Sequence, residues 1–127
     1  MLLPRIVLKC VQEITPQVFQ LTIGGANVIV IVEQKLTLID TGWRGASVLI
    51  VDFIRSLKHS AEEISLIIIT HNHYDHAGGL TELRSLTRAK VALHEADTNN
   101  TESQLPYPQF VQKTLQVFPF SILRPIF

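Results

Sequence analysis

The sequence predicts an α/β domain, a sheet covered by amphipathic helices. Three observations carry this. Short apolar runs alternate with turn signals over the first forty residues. Residues 45–58 switch to helical periodicity. Residues 65–70 are β-branched and apolar on both faces, as in a buried central strand.

Taken in order, residues 6–8, 18–21 and 27–33 read as strands, punctuated by Pro16 and the Gly24-Gly25 pair. Residues 35–40 follow residues 27–33 after a tight connection, so the two form a hairpin. Thr41-Gly42 breaks the strand. In 45–58, Ile50, Phe53, Ile54 and Leu57 fall at i, i+3, i+4 and i+7, the stripe of a helix with one apolar side. After the 65–70 strand, a second helix runs from Gly78-Gly79 to about Leu86, with Leu80, Leu83 and Leu86 inward. Residues 90–93 form another strand. The polar, proline-bearing stretch 97–110 is expected to be a loop or lid, and the apolar tail 114–127 two short strands about Pro119.

Composition narrows the function. The 127 residues carry 11 Lys plus Arg against 11 Asp plus Glu, so a basic nucleic-acid groove or polybasic membrane surface is not expected. One domain suffices for this length. Charged residues are 17%, below the ~25% usual in soluble domains, which points to surface covered by a partner subunit or a further segment. The single cysteine, Cys10, excludes an intrachain disulfide framework, and it is expected to be a buried strand residue. The opening residues lack a signal-peptide pattern, and the longest apolar run is 28–32, too short for a membrane span. A soluble, cytoplasmic protein is expected.

The chemistry lies in Thr70-His71-Asn72-His73-Tyr74-Asp75-His76, directly after the central strand. On extended backbone, residues at i and i+2 share a side, so His71 and His73 are placed to offer imidazoles to one ion. The chain then turns, sending Asp75 and His76 to a neighbouring position. Nitrogen and oxygen donors without a thiolate suit Zn, Mn or Fe. Two ions about 3.5–4 Å apart would bridge and acidify one water. Gly78-Gly79 lets the backbone pass close to the site. His94, at a strand end on the same side, reads as a partly exposed histidine rather than a ligand. His59 reads as a structural residue at a helix end. Trp43 either lines a pocket mouth or packs.

The run from Leu66 to Gly79 resembles the metal-binding motif of the metallo-β-lactamase superfamily. Residues 36–42, ending Asp40-Thr41-Gly42, resemble that family's earlier strand, and Asn27 resembles its residue ahead of the first hairpin. The resemblance implies the N-terminal half of an αββα sandwich, one mixed sheet with covering helices, over about residue 15 to the end. It implies His71 and His73 as ligands of a first metal, and Asp75 and His76 of a second. Asp75 would act as a base where a single ion is bound. Asp40 would stand behind the ligands, hydrogen-bonding within their loops; the alternative is an aspartate that caps its own corner. The implied activity is a zinc-type hydrolase, with metal-bound hydroxide attacking an ester, thioester, lactone, amide or phosphoester of a small-molecule substrate.

The family completes its site with a third histidine, a bridging aspartate and a final histidine. No histidine follows His94 in this sequence. The expectation is therefore a fragment, an interrupted reading frame or a half-domain, with zinc bound weakly or not at all and little activity in the isolated chain. The alternative is a non-catalytic oligomeric half-domain. A homodimer, or a missing C-terminal half, would cover an apolar sheet face that includes Val28, Val30, Leu36 and Leu38 or their opposite-facing neighbours.

Overall fold

The computed structural model describes residues 8–95. Six strands form one sheet in sequence order: β1 (Leu8–Thr15), β2 (Val18–Ile23), β3 (Ala26–Val32), β4 (Leu36–Ile39), β5 (Ile64–Ile69) and β6 (Lys90–Leu93). The first four pair antiparallel; β5 joins β4, and β6 joins β5, in parallel. The changeover follows from connection length. β2 and β3 are joined by Gly24-Gly25, both at positive φ (57° and 82°), the two-residue turn whose twist suits a hairpin. The parallel pairs need crossovers, made by α1 (Ser47–Ser56) and by α2 (Tyr74–Ala77) with α3 (Leu80–Leu86).

Helices α1 and α3 lie on one face of the sheet. Leu21, Val28, Val30, Leu36, Leu38 and Ile67 are fully or almost fully buried there against Ile50, Ile54 and Leu83. The alternation follows from the strand period of two: along β3, Val28, Val30 and Val32 are buried while Ile29 and Ile31 are half-buried. Register aligns Ile29, Ile39 and Ile68 across β3, β4 and β5 on the opposite face, with Ile31, Thr37 and Leu66 beside them. Among the described residues no helix packs on that second face. Of the two faces expected to seek a partner, the one with Val28, Val30, Leu36 and Leu38 is thus already occupied by helices.

Several expectations need correction. The first strand is eight residues long rather than the short run 6–8. Its residues from Cys10 onward are exposed, so this edge strand has no apolar run to announce it. Cys10 is correspondingly exposed, its Sγ 4.0 Å from Thr22 Oγ1. The second expected helix is α3, but a further short helix, α2, precedes it within the motif, and Leu86 is 40% exposed rather than inward, because α3 ends there. A 3-10 turn at Ala61–Glu63 precedes β5. The Ser60 N–H donates to Glu63 Oε2 at 2.6 Å, and His59 Nδ1 lies 3.0 Å from Glu63 Oε1, which gives His59 its structural role. The expected lid at 97–110 and strands at 114–127 lie outside the described residues.

Candidate metal centre

Both segments of the site leave the sheet at the C-terminal ends of neighbouring parallel strands. β4 delivers Asp40 and β5 delivers Thr70, with Ile39 opposite Ile68 in the ladder and Asp40 N–H donating to Ile68 O at 2.7 Å. Asp40 takes a left-handed backbone conformation, φ 65°, followed by Gly42 at φ 69°. That conformation is uncommon outside glycine and aspartate or asparagine, and it costs about 1–3 kcal/mol. It aims the Asp40 side chain across the strand gap rather than at its own corner.

The Asp40 carboxylate is buried, and every oxygen has a donor. Oδ1 accepts from Thr70 N–H at 2.8 Å. Oδ2 accepts from the Thr70 hydroxyl at 2.7 Å and lies 2.8 Å from His76 Nδ1. A carboxylate only accepts, so His76 carries its proton on Nδ1 and turns Nε2 outward. The Thr70 hydroxyl, once donated to Asp40, accepts from His71 Nδ1 at 3.1 Å. Asp40 therefore orients His76 directly and His71 through Thr70, the outer support that metal-ligating histidines need.

His71, Asp75 and His76 converge: one donor atom from each lies within 4.8 Å of the others, and His76 Nε2 is 3.4 Å from Asp75 Oδ2. The rings of His71 and His76 are 3.9 Å apart. His73, at the start of α2, adjoins this trio with its ring perpendicular to that of His71 and centroids 4.5 Å apart. Two imidazoles and a carboxylate with outward nitrogens suit a divalent ion of the zinc type. His94 follows β6 at the same edge and is exposed.

Steric and polar contacts hold the ligand loop against the 40–45 corner. A Cβ at Gly78 would collide with Arg44 N and Tyr74 O, and one at Gly79 would lie 2.6 Å from Thr41 O. The glycine pair is thus needed for close approach, as the sequence suggested. Thr41, fully buried, is a residue that sequence reasoning passed over: its N–H and hydroxyl both reach His76 O, at 2.7 and 2.9 Å. Trp43 is half-buried and donates from Nε1 to Gly24 O at 3.1 Å, which ties the β2–β3 turn to the same corner.

The metallo-β-lactamase superfamily model matches residues 21–126, which includes both arms of this site. The chain belongs to the metallo-β-lactamase superfamily. A HARLDQ-motif mutant of a metallo-β-lactamase from Cronobacter sakazakii, with histidines introduced into it, is 27% identical, with a TM-score of 0.65 over 70% of this chain and 36% of that one. A subclass B3 metallo-β-lactamase from a soil metagenome is 34% identical, with a TM-score of 0.56 over 59% of this chain and 29% of its own. Among curated sequences, a hydroxyacylglutathione hydrolase of Pseudomonas savastanoi pv. phaseolicola is 44% identical over 41 residues, 32% of this chain and 16% of the relative. One from Cereibacter sphaeroides is 39% identical over 46 residues, 36% and 18% respectively. The chain spans about a third of the length of the structures it resembles and under a fifth of these curated relatives. The fold expectation holds, with one mixed sheet and helices on one face. Among the described residues no helix is long and apolar enough to cross a membrane.

Proposed function

We propose that the chain carries the metal-binding arm of a zinc-type hydrolase acting on an ester, thioester, lactone, amide or phosphoester of a small molecule. The observation that carries this is the convergence of His71, Asp75 and His76 in front of a buried carboxylate that fixes both histidines. In this reading His71, His73, Asp75 and His76 hold the metal. A divalent ion held there would supply Lewis acidity toward a substrate carbonyl or phosphoryl oxygen and toward water. The protein's own part is orientation. Asp40 Oδ2 keeps the His76 proton on Nδ1, so that Nε2 offers a lone pair, and Thr70 does the same for His71. Asp75, half-buried and beside His76 Nε2, would be the group placed to take a proton from an attacking water where a single ion is held. The similarity to hydroxyacylglutathione hydrolases makes a hydroxyacyl thioester of glutathione the first substrate to assay. Zn, Mn or Fe binding that is lost in His71→Ala and Asp75→Ala, with little thioester or phosphodiester hydrolysis by the 127-residue chain alone, supports the reading. A protein that binds no Zn, Mn or Fe refutes it.

A second reading is favoured by the row Ile29, Ile39 and Ile68 on the helix-free face: the chain is a half-domain that associates with a second copy of itself through that face, in the cytoplasm. A two-fold contact needs only one self-complementary surface. A monomer of 14.3 kDa by light scattering at micromolar concentration rules this out.

A further inference from the structure

We infer that Thr41 is the positioning residue that sets the height of the ligand loop, fixing His76 through its main chain while Asp40 fixes its ring. The inference rests on the metal reading above, and three observations carry it. The carbonyl of His76 receives two donors from the same residue, Thr41 N–H at 2.7 Å and Thr41 Oγ1 at 2.9 Å. The same hydroxyl accepts the N–H of Gly79 at 3.1 Å, so one side-chain oxygen bridges both ends of the turn that contains the ligand. Thr41 is itself fully buried, with Gly79 packed so closely that a Cβ there would meet Thr41 O at 2.6 Å.

These contacts divide the work between neighbours in sequence. Asp40 determines which nitrogen of His76 faces outward; Thr41 determines where that nitrogen sits relative to Asp75 and His71. A hydroxyl is the only part of Thr41 able to donate to one turn residue and accept from another at once. Valine has the same shape but neither capacity, and it would strand a buried Gly79 N–H. Serine keeps the oxygen and loses only a methyl group.

Co2+ titration of the whole 127-residue chain, followed by its visible absorption, separates the possibilities. Thr41→Val should weaken Co2+ binding about 10- to 100-fold, the usual effect of losing an outer support of a ligand. Thr41→Ser should restore the parent affinity. The core variant Ile54→Val, far from the loop, should lower thermal stability without moving the affinity, which separates positioning from general destabilisation. Thr41→Val that is folded and binds Co2+ as the parent does would overturn the inference and leave the metal reading standing. A parent chain that binds no Co2+ would sink both. Should Thr41→Val not fold, the Gly79 amide decides. The clamp requires it to exchange in the metal-free parent as slowly as the amides of β5, and exchange at open-loop rates would overturn it.

Discussion

Replacing Asp40 with asparagine exchanges one oxygen for an NH2 group at almost constant shape, and the structure fixes what must follow. The amide oxygen has to take the Oδ1 position, because Thr70 N–H, 2.8 Å away, would otherwise face a donor. The NH2 group then occupies the Oδ2 position, 2.7 Å from Thr70 Oγ1 and 2.8 Å from His76 Nδ1. Both must now accept. His76 moves its proton to Nε2, the nitrogen that faces Asp75. Thr70 still donates its hydroxyl proton, now to the amide oxygen at Oδ1, 3.0 Å away, so the His71 proton stays on Nδ1. A single substitution therefore reverses the His76 imidazole and blocks its outward lone pair, while His71 keeps its support through Thr70. Metal affinity should fall about 10- to 100-fold, about 1.4–2.7 kcal/mol, the usual effect of losing the outer partner of one ligand. Folding stability should fall by only roughly 1–2 kcal/mol, since charged hydrogen bonds are replaced by neutral ones rather than removed. Co2+ titration and urea unfolding measure the two effects, and long-range 15N–1H correlation reads each tautomer directly. Parent-like Co2+ affinity, or a His76 that keeps its proton on Nδ1, would refute the argument.

Other perturbations test different links. Gly78→Ala places a methyl group against Arg44 N and Tyr74 O, backbone atoms that cannot swing aside, so a loss at or above the ~3 kcal/mol of severe overpacking is expected; an unchanged thermal midpoint would be incompatible with this packing. Glu63 is held below its usual value of 4.5, first by the His59 hydrogen bond and then by Ser60 N–H. Its contribution is thus complete above about pH 4.5 and is lost as pH falls through the lower folded value, so Glu63→Gln should flatten the acid limb of urea midpoints measured from pH 7 to 3, and superimposable profiles would contradict it. Ile39→Glu, on the helix-free face, should dissociate or aggregate an assembly that Arg55→Glu on the exposed side of α1 leaves intact, with light scattering as the readout.

Much of the fold was legible because the buried face writes its period into the sequence. The 27–33 and 35–40 hairpin emerged as β3 and β4, and the 65–70 run as the strand between parallel neighbours. The stripe through Ile50 and Ile54 placed α1 within two residues of its ends. β1 escaped because an exposed edge strand has no such period, and Leu86 misled because its spacing continues a stripe that the helix does not. At the site, the ligand types and the nearby glycines were visible as a motif. The resemblance implied that Asp40 supports the ligand loops, but its particular reach to His76, 36 residues away, was not legible, because it depends on a left-handed backbone at Asp40 and on the register of two parallel strands. Thr41 had no signal of its own beyond its place beside Asp40.

The parallel seam between β4 and β5 also has a kinetic meaning. β1 to β4 close by short turns and can zip from their own hairpins, whereas β5 meets β4 only after the α1 crossover has been ordered, a slower and more non-local event. The two arms of the site stand on opposite sides of that seam, Asp40 and Thr41 at the end of β4 and the histidines beyond β5. A non-local part of the sheet is thus the part that a metal would hold shut. Opening of the seam would release the outer support and the ligands together, and any ion bound there would draw the equilibrium toward the closed ladder by mass action. In such an arrangement metal release and local unfolding share one coordinate, so added Zn should slow hydrogen exchange in β4 and β5 while leaving the β1–β2 hairpin unchanged.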